Sequence, residues 1–135
     1  MSDSKINIAV IDEDPVRAAI LMDGLAEAGH VNVVHIDNVD NLLKKIFAID
    51  PDVILIDLEN PNRDTIEQMF RVSREVKRPI AMFVDESDRE RTTAAIRAGV
   101  SAYVVDGLKR ERIKPVVELA ISRFEAFSEL EKRAN

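Results

Sequence analysis

The stretch Ala9 to Pro15, AVIDEDP, sets three carboxylates side by side directly after an apolar run, and a second run, VILIDLENP, delivers Asp57 after four apolar residues. Asp57 is thereby carried deeper than a surface charge. A buried lone aspartate costs several kcal/mol or takes up a proton. If Asp12, Glu13 and Asp57 converge from two strands, they require either one raised pKa or a hard divalent cation; otherwise they splay into solvent at loop mouths. The chain has no cysteine and only two separated histidines, His30 and His35, so a metal would be held by oxygen alone, which favours magnesium. Asp14 differs from its neighbours. Followed by Pro15, it fits a helix N-cap with proline at the first helical position.

Short β-branched runs at residues 6–11, 32–36, 53–56, 80–84 and 101–105 read as buried strands, and each is followed by a segment with apolar spacing of three or four. Ala18, Leu21, Met22 and Leu25 give the first helix its face, and Gly29 is placed to end it in a left-handed turn. Val39, Leu42, Leu43, Ile46 and Phe47 form the second face, which stops at Asp50-Pro51 because a residue before proline is disfavoured in helical geometry. Ile66, Met69, Phe70 and Ser73 lead the third. The fourth, from Ser87 to Ala98, offers only Ala94, Ala95, Ile96 and Ala98, with Ser87 and Glu90 in capping-box spacing. Strict alternation predicts an α/β domain: a parallel sheet of five strands with helices on both faces and right-handed crossovers. Ligands of such sheets bind beyond the carboxyl ends of the strands. The ends of the first, third, fourth and fifth runs are all acidic: Asp12 and Glu13, Asp57, Asp85 and Glu86, and Asp106.

From Lys109 to about Lys132 one apolar stripe persists: Ile113, Val116, Val117, Ala120, Ile121, Phe124, Phe127 and Leu130. Such a helix is about 30 Å long, whereas a sheet of five-residue strands is about 17 to 20 Å deep. The helix is expected to overrun the domain, and its distal aromatics to pack on something outside it, a homodimer through this helix being one arrangement.

With 135 residues the chain is about one domain long. Its 19 basic and 25 acidic residues give a net charge of −6, which argues against this segment wrapping nucleic acid by itself. The absence of cysteine fits a reducing cytoplasm, and no apolar run approaches the length needed to span a bilayer.

The runs IAVIDEDP, PDVILIDLENP, RPIAMFVDE and AGVSAYVVDG resemble the successive strand ends of a response-regulator receiver domain, over roughly residues 4–127. The resemblance implies strand order 2-1-3-4-5, with the receiver at 1–127 and a helical linker starting at 128–135. It also implies Asp57 as phospho-acceptor, Asp12 and Glu13 as the acid pair holding magnesium with Asp57, and the Glu59 backbone carbonyl as a further ligand. The chain departs from that pattern at two anion-binding positions. Val84 stands where receivers usually carry a hydroxyl, and Asp106 where they carry a lysine. Near a phosphoryl dianion each unit charge pair at 4 to 6 Å is worth about 3 to 4 kcal/mol. Asp85 is expected to add repulsion. Tyr103 holds the place of the family's switch aromatic, or is simply an amphipathic ring at a sheet edge.

These departures, with FVDESD, SAYVVDG and the tail RERIKPVVELAISRFEAFSELEKR, resemble the receiver-like half of NasT-type ANTAR antitermination regulators. That likeness implies a non-enzymatic module switched mainly by a partner protein, with RNA bound only by a C-terminal ANTAR-like module and a nitrogen-responsive output. A conventional receiver phosphorylated on Asp57 by a sensor histidine kinase is the alternative. A third reading, from another class, is an aspartate-nucleophile phosphohydrolase with Asp12 as nucleophile and Asp14 as acid/base. It lacks the later Ser or Thr and the lysine such chemistry needs.

Overall fold

The computed structural model describes residues 6–58, 63–85, 89–105 and 109–134. Five strands alternate with five helices: β1 Asn7–Ile11, α1 Pro15–Glu27, β2 Asn32–Ile36, α2 Leu42–Ile49, β3 Val53–Leu58, α3 Arg63–Glu75, β4 Ile80–Val84, α4 Arg89–Arg97, β5 Ala102–Val104 and α5 Arg110–Ala134. All four strand pairings are parallel and the order is β2-β1-β3-β4-β5, as expected. Placing β1 against β3 brings Ile11 opposite Ile56, so the ends of the two strands lie side by side.

Because successive strand side chains point to opposite faces, each strand sorts its residues into two cores. Ala9, Ile11, Ile54, Ile56, Ile80, Met82 and Val84 pack with α2, α3 and α4 residues such as Leu42, Ile46, Met69, Val72 and Ala95. Ile8, Val10, Val53, Leu55, Ala81, Phe83 and Ala102 pack with Leu21 and Leu25 of α1 and with Ile113, Val117 and Ala120 of α5.

Local signals in the sequence act where expected. Asp14 caps α1, its Oδ1 accepting from the Val16 amide at 2.9 Å with Pro15 at the first helical position. Gly29 ends the helix at φ 95°, a conformation that costs glycine nothing. Asp50, ahead of Pro51, leaves right-handed geometry at φ 52° and closes α2. Three expectations need correction. The third strand runs to Leu58, so Asp57 lies inside the β-ladder opposite Phe83 and not just beyond it. The fifth is shorter, at three residues. Phe47, counted on the inner face of α2, is 60% exposed, because Leu42 and Ile46, flanked by Leu43 and Ile49, already cover the sheet. The capping position Ser87 lies outside the described residues.

The last helix is 25 residues long, about 38 Å. Its fully buried residues end at Ala120, Phe124 is half-buried and Leu130 is 63% exposed, so the helix continues past the core without interruption through residue 127. No helix among the described residues is long and apolar enough to cross a membrane.

Contact between α1 and α5 is closest at Gly24, where an added Cβ would fall well inside van der Waals distance of the buried Ile113 Cδ1. Alanine there gains helix propensity but overpacks the core, and overpacking is the larger effect. Gly24→Ala is expected to destabilise by about 1 kcal/mol in chemical denaturation. Adding Ile113→Val, which removes Cδ1, should recover part of that loss, so the double mutant will be more stable than the two single effects summed.

Candidate functional site

The alternation that builds the α1/α5 core continues past it. Ile8 and Val10 lead to Asp12, Val53 and Leu55 to Asp57, and Ala81 and Phe83 to Asp85, so three carboxylates sit on the α1 side at the carboxyl ends of β1, β3 and β4. Asp12 and Asp57 are buried. Glu13 has the opposite parity and is exposed.

A guanidinium meets these acids. Arg17, in the first turn of α1, donates from Nε to Asp57 Oδ2 at 2.8 Å and from Nη2 to Asp57 Oδ1 at 2.7 Å. This fork-to-fork geometry is the strongest form of the Arg–carboxylate pair. The same guanidinium reaches Asp85 over longer distances, Nη2 to Oδ1 at 3.3 Å and Nη1 to Oδ2 at 3.5 Å. Side-chain exposure is 0% for Asp57, 16% for Arg17 and 35% for Asp85, so the centre opens toward solvent on the Asp85 side. Asp57 foremost, and then Asp85, hold Arg17 protonated well above its ordinary range against the opposing effect of burial. Asp85 is thus paired with Arg17, which offsets part of its negative charge.

Asp12 is held by backbone contacts. Its amide donates to the Ile36 carbonyl at 3.1 Å, extending the β1–β2 ladder by one residue. Its carbonyl accepts from His35 Nε2 at 2.9 Å, and Oδ1 accepts from the Asp14 amide at 2.9 Å. Asp12 Oδ2 is buried with no donor. Two ionised carboxylates cannot hydrogen-bond to each other, but a protonated Asp12 can donate to Asp57. Burial first, then that bond, push the Asp12 pKa up to about 7 against the lowering influence of the Asp14 amide and Arg17.

Of the positions singled out by sequence, Asp12 and Asp57 meet, and Glu13 is exposed. Glu59 and Asp106 lie outside the described residues. Among the described residues no three His, Cys, Asp or Glu side chains gather as a ready-made metal cage. An orphaned, buried Asp12 oxygen beside Asp57 is nonetheless the donor chemistry that a hard divalent cation takes. Val84 is buried at the end of β4 opposite Leu58, in the core of the other face, and offers no donor. Tyr103 lies on β5 opposite Met82, partly buried against that same core. The residue that sequence reasoning missed is Arg17. Its signal was a cation at the start of a helix, where the helix dipole disfavours positive charge.

A parallel 2-1-3-4-5 sheet with a buried aspartate at the end of its central strand defines a receiver-type signalling domain. The sequence signature of the response regulator receiver domain matches residues 8–118, and the chain belongs to that family. Among curated proteins it is similar to the transcriptional regulatory protein PdtaR of Mycobacterium tuberculosis, 32% identical over 81 residues, 60% of this chain and 40% of that protein. It is also similar to a protein-glutamate methylesterase/protein-glutamine glutaminase of Natronomonas pharaonis, 26% identical over 96% of this chain and 41% of that protein. The chain thus spans about two-fifths of the length of these relatives. The CheY-like receiver domain structure from Methanospirillum hungatei superposes with a TM-score of 0.76 at 16% identity, covering 90% of this chain and 98% of that one.

In chelator, Asp12 binds its proton up to about pH 7 when folded but only up to about pH 3.8 when unfolded. Between those values the folded state holds more protons, so stability falls as pH rises through that window and levels off above it. Urea denaturation at pH 5 and pH 8 should show the loss, and Asp12→Asn should flatten it.

Proposed function

We propose that this chain is an atypical receiver module, non-enzymatic itself, switched mainly by contact with a partner protein. Its output is an RNA-binding, ANTAR-like helical module reached through α5, and it controls transcript termination in a cytoplasmic, nitrogen-responsive regulator. The observation that carries the switching is the state of Asp57: both its oxygens are bonded to Arg17, and the neighbouring end of β4 carries Val84, with no hydroxyl to receive a phosphoryl group. The output half rests on the likeness of the sequence to the NasT-type regulators. It is supported by an α5 that outruns its own core and by similarity to a protein named as a transcriptional regulator.

The second reading is a conventional receiver phosphorylated on Asp57 by a sensor histidine kinase. It is favoured by the buried, unpartnered Asp12 Oδ2, which is suited to a magnesium ion. Such an ion would be held by Asp12, Glu13, Asp57 and the Glu59 carbonyl, and it would supply positive charge at the oxygens of an incoming phosphoryl group. The phosphohydrolase reading has no such support. Asp14, its acid/base, is engaged as the cap of α1.

Small phosphodonors such as acetyl phosphate with magnesium should label the chain slowly and substoichiometrically by intact-protein mass spectrometry. Val84→Thr with Asp106→Lys should raise the labelling. Rapid stoichiometric labelling of the wild type would promote the second reading. Separately, the distal stripe of α5 should make the chain self-associate: light scattering is expected to find a dimer that Phe124→Glu with Phe127→Glu dissociates without unfolding. A monomer at high concentration would remove the homodimer.

A further inference from the structure

We propose that Arg17 is the built-in counter-ion of the acidic centre and competes with a divalent cation for Asp57, so that this one side chain sets the metal affinity of the domain. The inference rests on the assignment, made under the second reading above, of Asp12 and Asp57 to one cation-binding centre.

The competition follows from how Asp57 is occupied. Each of its two oxygens accepts a short, charge-assisted bond from the guanidinium, and its side chain has no exposure to water. A dication drawn to Asp57 meets a positive charge already seated there, in surroundings that screen poorly. The two cannot share the carboxylate at full strength. Arg17 also leaves part of the centre unsatisfied. It bonds Asp57 and Asp85, while Asp12 Oδ2 stays buried without a donor. One guanidinium carries one positive charge against the two carboxylates it bonds, and the Asp12 oxygen lies beside them without a donor.

The same geometry supplies a way out. Asp85 is the more exposed of the two carboxylates, and its contacts to Arg17 are the longer, at 3.3 and 3.5 Å. The guanidinium can therefore withdraw from Asp57 and remain paired with Asp85 at the solvent-facing side. Helix preference does not hold Arg17 at its post. The N-terminal turn of α1 has no acidic residue, and the helix dipole there repels a cation. The pairing with Asp57 across about forty residues of sequence is what keeps it in place.

The test is a calorimetric titration of the whole chain with magnesium chloride at neutral pH, using wild type, Arg17→Gln, Arg17→Lys and the double variant Arg17→Gln with Asp57→Asn. Arg17→Gln is expected to bind magnesium about tenfold more tightly than wild type, because a neutral amide no longer opposes the ion. Arg17→Lys, which keeps the charge but not the fork, should fall between. The gain should vanish in the double variant. Thermal melts give an independent readout: in chelator Arg17→Gln should melt below wild type, and added magnesium should raise its melting temperature by more than it raises that of wild type. If Arg17→Gln does not fold in chelator, recovery of its circular dichroism on adding magnesium supports the proposal and failure to recover counts against it. Equal magnesium affinity in wild type and Arg17→Gln overturns the competition but leaves the acidic centre standing as a cation site. Absence of magnesium binding in both overturns the inference and the assignment of the centre together.

Discussion

A carboxylate with no access to water must have its charge met, and Asp57 meets this requirement through Arg17. Most features of the described structure that bear on function follow from that one pairing. Sheet order places β1 and β4 on either side of β3, so that Asp12 and Asp85 flank Asp57. The pleat turns all three toward α1. The Asp14-Pro15 cap starts α1 immediately after β1, and Arg17 therefore lies within reach of the strand ends. Removing one partner of a buried ion pair typically costs about 3 to 5 kcal/mol, because the other charge is left unmatched. The centre is thus part of what holds the carboxyl end of the sheet together as well as a place for chemistry.

Stability is unevenly spread around this centre. Strands β1, β3 and β4 are buried almost throughout, and they carry the acids at fixed separations. On the β5 side the structure is thinner. The fifth strand has three residues, and within α4 only Ala95 is buried while Ile96 lies 63% exposed. An element anchored by so little apolar surface shifts at small free-energy cost. Tyr103, partly buried between these regions, packs on the core that contains Val84 and Ala95. That contact links the end of β4 to α4 through packing, with no hydroxyl at position 84 to take part.

The last helix outruns the core on which it packs. Its first half is cemented to α1 by Ile113, Val117 and Ala120, with Gly24 permitting the close approach. Arg110 and Glu27 form an ion pair at the rim of the same contact. Arg17 and Gly24 lie on the same 13-residue helix, the first against the strand ends and the second against α5.

Much of this was written in the sequence. Alternating periods of two and about four fixed five strands and five helices, the caps at Asp14 and Gly29 and the break at Asp50-Pro51 set their limits, and the stripe from Ile113 to Leu130 announced a helix longer than its sheet. These are local signals, carried by neighbouring residues. The acidic strand ends were legible for the same reason. The partner of Asp57 was not, because Arg17 stands forty residues away on an element of its own, and nothing local states which side chains a crossover will bring into register. Tertiary structure also separated Asp12 from Glu13. Adjacent in sequence and alike in chemistry, they differ in surroundings just past β1, one buried beside Asp57 and the other exposed to water. Burial of Phe47 failed to follow from its spacing because only the sheet's available area decides how wide a helix face is covered. Residue type and period determined which groups could do chemistry at this end of the sheet; the packing of α1 over three strand ends decided which of them meet.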